Sequence, residues 1–233
     1  TTRREFIMLN AKMAGVVLGA SAFGLGWMKP PLLSAAEIAF PKPACRDPKA
    51  GDLNVLVAYA SRCGSTAGVA ERIGQTLCTR KHSSQVLPVE EVKDLGSYDA
   101  VILGSAIRTG KWLPEAMDFV GTHRDALSQK PVAYFHTCIT LSKPTEENLT
   151  KARSFFDPLT ERFSEVRPMS LGVFAGVLDY AKLSGPMRLV MKWKMKEQGI
   201  PEGDFRDWNA IEMWANGVSG MLAARWKGRE EEV

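Results

Sequence analysis

The sequence predicts an α/β protein in which helices cover both faces of a doubly wound, five-stranded parallel sheet. Two observations lead to this fold class. From Leu53 onward, short apolar runs alternate with segments of helical periodicity, which is the order of parallel strands joined by crossover helices. The runs are mostly aliphatic along their whole length, as in strands that are buried on both faces. A chain of 233 residues, 45% of them hydrophobic, is long enough to bury one sizeable core.

Each element follows from a local pattern. The five expected strands cover residues 53–59, 86–89, 98–104, 131–136 and 169–174. The helical segments between them cover residues 67–79, 113–127 and 146–163. Pro131 stands at the first position of its strand, where the missing N–H is tolerated. Because crossover connections are right-handed, few topologies remain for such a sheet.

A hydrophobic leader helix is expected before this domain, in residues 1–36. The pair Arg3-Arg4 is followed by an uncharged, glycine-rich run and then by Ser34-Ala35-Ala36. This order of basic, apolar and small residues is that of a signal peptide, and the arginine pair resembles a twin-arginine export signal. As a helix, the apolar run of about 16 residues would span about 24 Å, less than a bilayer core of about 30 Å. The length favours a cleaved signal, and an uncleaved membrane anchor remains the alternative.

Composition divides the rest of the chain. Residues 37–51 are rich in proline and are predicted as a linker, residues 52–228 as the domain, and residues 229–233 as a charged tail. The formal net charge is +4, and most of the excess lies in the leader. The charge balance therefore gives no indication of nucleic-acid binding.

The four cysteines are expected to be unpaired thiols, because they are too few for a disulfide scaffold in a chain of this length. They are Cys45, Cys63, Cys78 and Cys138. No Cys-x-x-Cys pair or Cys/His cluster occurs among them, so the sequence does not predict a metal site.

Three predicted loops lie beyond the carboxyl ends of the strands, where doubly wound sheets bind their ligands. The first loop reads Ser61-Arg62-Cys63-Gly64-Ser65-Thr66. Its glycine allows close backbone approach, and the N–H groups of the helix that follows suit a phosphate. The loop has neither the lysine of the nucleotide P-loop nor the Gly-x-Gly-x-x-Gly pattern of dinucleotide sites, so it indicates a single terminal phosphate. An ordinary helix N-cap is the alternative.

The second and third loops offer groups for a flat ring. The second loop reads Gly104-Ser105-Ala106-Ile107-Arg108-Thr109-Gly110-Lys111-Trp112, and the third reads Thr137-Cys138-Ile139-Thr140-Leu141. Trp112 either covers a ring face or belongs to the core. Arg108 and Lys111 either contact a ligand or are solvated surface charges. Cys138 and the preceding His136 are interpreted as a packing residue and a structural residue.

Three stretches of the sequence carry a resemblance to a known family. They are residues 59–66, residues 104–110 and the block Gly203-Asp204-Phe205-Arg206-Asp207-Trp208. Together they resemble the flavodoxin-domain family that includes menaquinone-dependent protoporphyrinogen IX oxidase, over about residues 53–220. The resemblance implies a flavodoxin-like sheet of order 2-1-3-4-5 that binds FMN non-covalently.

The same resemblance implies which residues contact the cofactor. The phosphate contacts map onto Ser61, Cys63, Gly64, Ser65 and Thr66, and the ring contacts map onto Ser105 to Gly110 and Thr137 to Leu141. Cys63 departs from the pattern, because many relatives carry a bulky or polar residue there. The third loop matches only in position and polarity.

The resemblance and the remaining motifs lead to three functional hypotheses. The first is an FMN-dependent oxidoreductase that moves electrons from a reduced donor to a quinone or a redox partner at the membrane. The basic amphipathic segment Met187 to Lys196 is expected to lie on a membrane surface or beside the quinone, unless it is an ordinary solvated helix face. The second is an exported electron carrier or a redox subunit of a membrane complex. The third is a structural subunit that kept the fold without the flavin.

The leader bears on the choice between these hypotheses. It predicts an exported protein, in the periplasm or on the outer face of the cytoplasmic membrane. Haem synthesis is cytoplasmic, so this location counts against protoporphyrinogen as the substrate.

Overall fold

The computed structural model describes residues 44–45, 52–80 and 82–230. The chain divides into two units, residues 1–36 and 37–233, and all the described residues belong to the second unit. The predicted leader, most of the predicted linker and residues 231–233 of the tail lie outside the described residues.

The main sheet contains the five predicted parallel strands. Its strands are β1 (Ala44–Cys45), β2 (Asn54–Ala60), β3 (Ser83–Pro88), β4 (Ala100–Arg108), β5 (Lys111–Trp112), β6 (Val132–Cys138) and β7 (Pro168–Ala175). Their order is β1-β3-β2-β4-β6-β7, with β5 paired to β4. Strands β3, β2, β4, β6 and β7 are mutually parallel. The expected order 2-1-3-4-5 is therefore confirmed, with the antiparallel strand β1 added beside β3.

Seven α-helices occur in the described part of the chain. They are α1 (Ser65–Thr79), α2 (Pro114–Thr122), α3 (Arg124–Ser128), α4 (Glu146–Arg153), α5 (Asp157–Arg162), α6 (Gly185–Glu197) and α7 (Trp208–Glu230). The predicted helix over residues 113–127 is interrupted at His123, between α2 and α3. The predicted helix over residues 146–163 is interrupted by a 3₁₀ turn at Ser154–Phe156. A new helix starts there because Pro158, in the first turn of α5, has no N–H to donate.

The core has two layers, one on each face of the sheet. Successive strand residues point to opposite faces, so Leu56 and Val57 belong to different layers. On one face, Leu56, Leu103 and Tyr134 pack with residues of α2 and α5. On the other face, strand residues pack with α1 and α7. Burial on both faces explains why the strands are continuous apolar runs in the sequence.

Between β7 and α7 the chain leaves the sheet in a segment that we call the excursion, residues 177–204. It opens with β8 (Val177–Leu178) and closes with β9 (Gly203–Asp204), and these two short strands pair in antiparallel fashion. The excursion carries α6. None of the helices in the described ranges is both long and apolar enough to cross a bilayer.

The block at residues 203–208 fastens the end of the excursion to the body. The Arg206 guanidinium pairs with Asp204 and lies over the Trp208 ring, 4.4 Å from its centroid. Hydrogen bonds from Arg206 lower the pKa of the Asp204 carboxyl. Gly68 on α1 leaves space for this arginine, because a Cβ there would lie 2.6 Å from Nη1 of Arg206. The block that contributed to the family resemblance thus has a structural role.

Candidate functional site

The carboxyl ends of the parallel strands meet at one edge of the sheet. Ala60 at the end of β2 is in register with Ser105 of β4. Ala106 is in register with Thr137 of β6, and Cys138 with Ala175 of β7. The three predicted loops therefore lie side by side, as the sequence predicts.

The first loop is a tight turn that leads into α1. The Gly64 N–H donates to Oγ of Ser61 at 3.1 Å, and Gly64 adopts a left-handed conformation with φ of 81°. No side chain caps the helix, and its first turn contains no acidic residue. The N-cap alternative for these hydroxyls is therefore wrong. The amide groups at the start of a 15-residue helix point toward the strand edge, and the helix dipole makes this a suitable place for an anion.

Ser65 and Thr66 have different partners. The Ser65 Oγ accepts a hydrogen bond from the Val177 N–H at 3.0 Å, which leaves its own O–H available to donate. The Thr66 hydroxyl is fully buried and lies 2.7 Å from the Thr137 hydroxyl. Thr66 thus connects the first loop to the third, and its hydroxyl is already engaged inside the protein.

Arg62 and Cys63 stand at the outer side of the turn. The Arg62 guanidinium forms an ion pair with Glu115 at the start of α2. The Cys63 thiol donates a weak hydrogen bond to the carbonyl oxygen of Lys182 at 3.9 Å. Burial raises the pKa of this thiol, and the nearby cations Lys182 and Arg108 act in the opposite direction. The first loop therefore has cationic neighbours from both the second loop and the excursion.

The second loop is shorter than the sequence suggests. Strand β4 continues to Arg108, and Lys111 pairs with it across a two-residue turn. Both turn residues have positive φ, 51° at Thr109 and 76° at Gly110, as a tight hairpin requires. Ser105 is buried, and its Oγ accepts from the Leu113 N–H at 3.0 Å. The groups left at the surface are the hairpin and the backbone beside Ala106 and Ile107.

Of the two interpretations of Trp112, the structure shows the core residue. The ring is only 6% exposed and packs against Tyr134 and Phe156. It faces the protein interior, so it is not in a position to cover a ring bound at the strand edge. Arg108 and Lys111 on the same hairpin are exposed.

The third loop is partly strand and partly a 3₁₀ turn, Ile139–Ser142. Cys138 is buried against Leu141 and Phe155, so it is a packing residue, and burial raises the pKa of its thiol. His136 is fully buried, with Nε2 2.9 Å from the carbonyl oxygen of Ala152. Burial lowers its pKa to about 4, so the imidazole is neutral and structural at pH 7. Ile139 and Thr140 are half-buried and lie nearest the surface.

A fourth segment completes the edge, and the sequence reasoning missed it. The Gly176 N–H donates to the carbonyl oxygen of Cys138 at 3.1 Å, and Val177 contacts Ser65 as described. Gly176 approaches the first loop closely: a Cβ there would lie 3.2 Å from the Ser65 Oγ, so that side chain would have to shift by a few tenths of an ångström. The signal was present in the sequence: the fifth predicted strand, residues 169–174, also ends at this edge, two residues before Gly176.

The cysteine expectation needs one correction. Cys63 and Cys138 are free thiols, as expected, but Cys78 near the end of α1 is disulfide-bonded. Among the described residues, no group of three or more His, Cys, Asp or Glu side chains is arranged to hold a metal ion.

Comparison with known proteins gives one family match and several relatives. A model of the flavodoxin domain matches residues 56–203, which is more than half of the chain. Protoporphyrinogen IX dehydrogenase [quinone] of Leishmania major is 27% identical over 182 residues, covering 72% of this chain and 76% of that protein. The protein of the same name from Escherichia coli K12 is 26% identical over 179 residues, covering 72% and 96%.

Solved structures with a similar chain path include an archaeal flavodoxin and flavodoxin 2 of Bacillus cereus. The first has a TM-score of 0.47 at 16% identity and covers 73% of this chain and 99% of its own. The second has a TM-score of 0.43 at 23% identity, with coverage of 72% and 99%. These scores are modest, and the fold assignment rests on the strand order and the family model.

Proposed function

Because the chain belongs to the flavodoxin-domain family, we propose that it binds FMN at the strand edge described above. We further propose that it transfers electrons from a reduced donor to a quinone or a redox partner at the membrane. The observation that carries the proposal is the uncapped start of α1 behind the left-handed Gly64, at the point where the strand ends meet.

The residues of the first turn fit a terminal phosphate. An unneutralised helix start with free amide groups favours an anion, and no acidic side chain in the first turn opposes it. The Ser61 hydroxyl oxygen accepts from the Gly64 N–H and that of Ser65 from the Val177 N–H, so each serine keeps an O–H to donate. The Arg62 guanidinium lies beside the turn, where Glu115 is its ion-pair partner. These groups would hold the phosphate.

The neighbouring backbone fits the edge of a flat ring. The β4–β5 hairpin with Thr109 and Gly110 stands on one side, and the 3₁₀ turn that begins at Ile139 stands on the other. Bound FMN would supply one- and two-electron transfer, which no amino-acid side chain provides. The protein would bind and orient the FMN and limit its contact with water.

The curated relatives support a specific donor and acceptor. Both are named as dehydrogenases of protoporphyrinogen IX that use a quinone. A porphyrinogen carries carboxylate side chains, and Arg108 and Lys111 are exposed cations on the hairpin of the proposed site. These cations would attract such a donor and help to orient it.

Three measurements on the purified full-length chain test the proposal. The oxidised protein should show flavin absorbance near about 450 nm. Protoporphyrinogen IX, added without oxygen, should bleach this band, and a menaquinone analogue should restore it. A chain that carries no flavin would contradict the proposal and would support the flavin-free structural subunit.

One observation favours a second candidate, an exported electron carrier or redox subunit without its own small substrate. Disulfides persist mainly in oxidising compartments, and Cys78 is disulfide-bonded. Together with the twin-arginine-type leader predicted from the sequence, the disulfide supports a protein on the outer side of the cytoplasmic membrane. In that case membrane fractions would reduce the flavin, whereas protoporphyrinogen would leave it oxidised.

A further inference from the structure

Helix α6 exposes an apolar stripe that the fold does not use. Leu189 is 72% exposed, Val190 is 58% exposed and Trp193 is 70% exposed. Trp193 lies four positions after Leu189 and three after Val190, and residues at these spacings are neighbours on a helix surface, so the three side chains form one continuous stripe. Among the described residues, half of the exposed large hydrophobic side chains belong to this stripe.

The opposite side of α6 attaches the helix to the body of the protein. Met195 is buried, and Met187 and Met191 are half-buried on the same side of the helix. Arg188 donates hydrogen bonds to the carbonyl oxygens of Ala181 and Leu183, which fix the start of the helix. Helix α6 therefore packs on the protein through its methionine side, and the apolar stripe on the opposite side stays exposed.

Cations flank the stripe. Lys192, Lys194 and Lys196 are exposed, and the helix carries one acidic residue, Glu197, at its end. Long lysine side chains can keep their ammonium groups among anionic headgroups while the apolar stripe enters the acyl boundary. Tryptophan is enriched at that boundary. A narrow convex stripe between cations matches an anionic lipid surface in both charge and shape.

The excursion also contacts the proposed cofactor site at three points. The Val177 N–H donates to Ser65, and the Cys63 thiol contacts the carbonyl oxygen of Lys182. At the far end of α6, the Lys143 ammonium group donates to the carbonyl oxygen of Gln198 at 2.7 Å. Lys143 directly follows the 3₁₀ turn of the third loop. The ends of the excursion thus lie beside the first and third loops.

We propose that α6 docks on an anionic bilayer through Leu189, Val190 and Trp193, and that docking brings the cofactor edge to the lipid surface. This inference rests on the proposed function in one respect: it takes the bilayer to be the source of the quinone. The docking itself requires neither flavin nor substrate.

A fluorescent label at residue 190 tests the proposal in the full chain. Val190→Cys labelled with an environment-sensitive fluorophore should shift to shorter wavelength with phosphatidylglycerol vesicles, and nitroxide-labelled lipids should quench it. Met213→Cys is the matched control, because Met213 is 68% exposed on α7 and should stay in water. The unsubstituted chain, treated in the same way, gives the background from the free thiols.

Two comparisons make the test specific. Replacing Leu189 and Trp193 by serine should lower the partitioning of the residue-190 label into vesicles by roughly tenfold or more. Phosphatidylcholine vesicles should give a much weaker shift than phosphatidylglycerol vesicles, because the lysines then lack an anionic partner.

Several results would overturn the docking. A residue-190 label that stays in water while the chain is bound to vesicles would show that another segment, such as the leader, makes the contact. An equal shift at residue 213, or equal docking on neutral vesicles, would also contradict it. Donor oxidation in detergent without docking would reject this inference alone, whereas docking without flavin would reject the proposed function alone.

Discussion

The hydroxyl oxygens of Thr66 and Thr137 lie 2.7 Å apart inside the protein and join the first turn of α1 to the end of β6. The two residues are 71 positions apart in the sequence, and both are buried. Because one hydroxyl must donate to the other, each satisfies a group that would otherwise be unpaired in the interior. The first and third loops of the proposed site are therefore held in a fixed relation to each other.

Thr66→Val should destabilise the protein by about 1–2 kcal/mol, because it leaves the buried Thr137 hydroxyl without its partner. Urea unfolding gives the change in free energy. Thr137→Val should have a similar effect, and the double variant should lose less than the sum of the two. Fully additive losses would contradict the coupling.

Gly64→Ala should weaken FMN binding at least about tenfold, because a left-handed backbone costs a residue with a Cβ about 1–2 kcal/mol and the turn would relax. Quenching of FMN fluorescence during titration gives the dissociation constant.

Gly199→Ala is the matched control for this variant. Gly199 also has positive φ, 60°, but it follows α6 and lies outside the phosphate turn. It should show a comparable loss of stability with FMN affinity unchanged. If both variants bound FMN as tightly as the parent chain, the phosphate would not be held by the Gly64 turn.

The strand pattern was predictable because it is local. Neighbouring residues such as Leu56 and Val57 are buried in the layers on opposite faces of the sheet, so apolar runs mark the strands without any knowledge of their partners. Strand β1 could not be predicted, since two residues become a strand only by pairing with β3, far along the chain. The interruption of the predicted helix at His123 could not be predicted either, because the helical periodicity of the sequence continues across it.

The candidate site also combines features that follow from local sequence with features that depend on distant contacts. The Ser61–Thr66 turn was predictable because hydroxyls, a glycine and a helix start are neighbours in sequence. The contact of Ser65 with Val177 joins residues 112 positions apart, and no local pattern indicates it. The sequence left the role of Trp112 undecided for the same reason, since only its contacts with Tyr134 and Phe156 assign it to the core.

His136 should make the folded state sensitive to acid. Burial lowers its pKa from 6.5 to about 4, so below pH 6.5 the unfolded chain binds a proton that the folded chain does not. The contribution of neutral His136 to the free energy of unfolding is fully present above about pH 6.5. It decreases as the pH falls toward 4, by about 3 kcal/mol in total. His136→Gln should flatten this part of the pH profile of urea unfolding.

His123→Gln is the comparison for that profile. Burial also lowers the pKa of His123, but this side chain is partly exposed and so contributes less. His82, buried against Ser219, acts in the same direction and remains in both variants. An unchanged slope in His136→Gln would mean that His136 has the same pKa in the folded and unfolded chains.

The disulfide at Cys78 should make stability depend on the redox environment. A reducing agent should lower the free energy of unfolding by about 2–4 kcal/mol, because the unfolded chain regains the freedom that the cross-link removes. Cys78→Ser should show the same loss and no further response to reductant. Cys63→Ser is the control: Cys63 is a free thiol, so that variant should keep the full response. If the parent chain were equally stable with and without reductant, the disulfide would not support export to an oxidising compartment. That result would favour the cytoplasmic porphyrinogen reaction over the exported carrier.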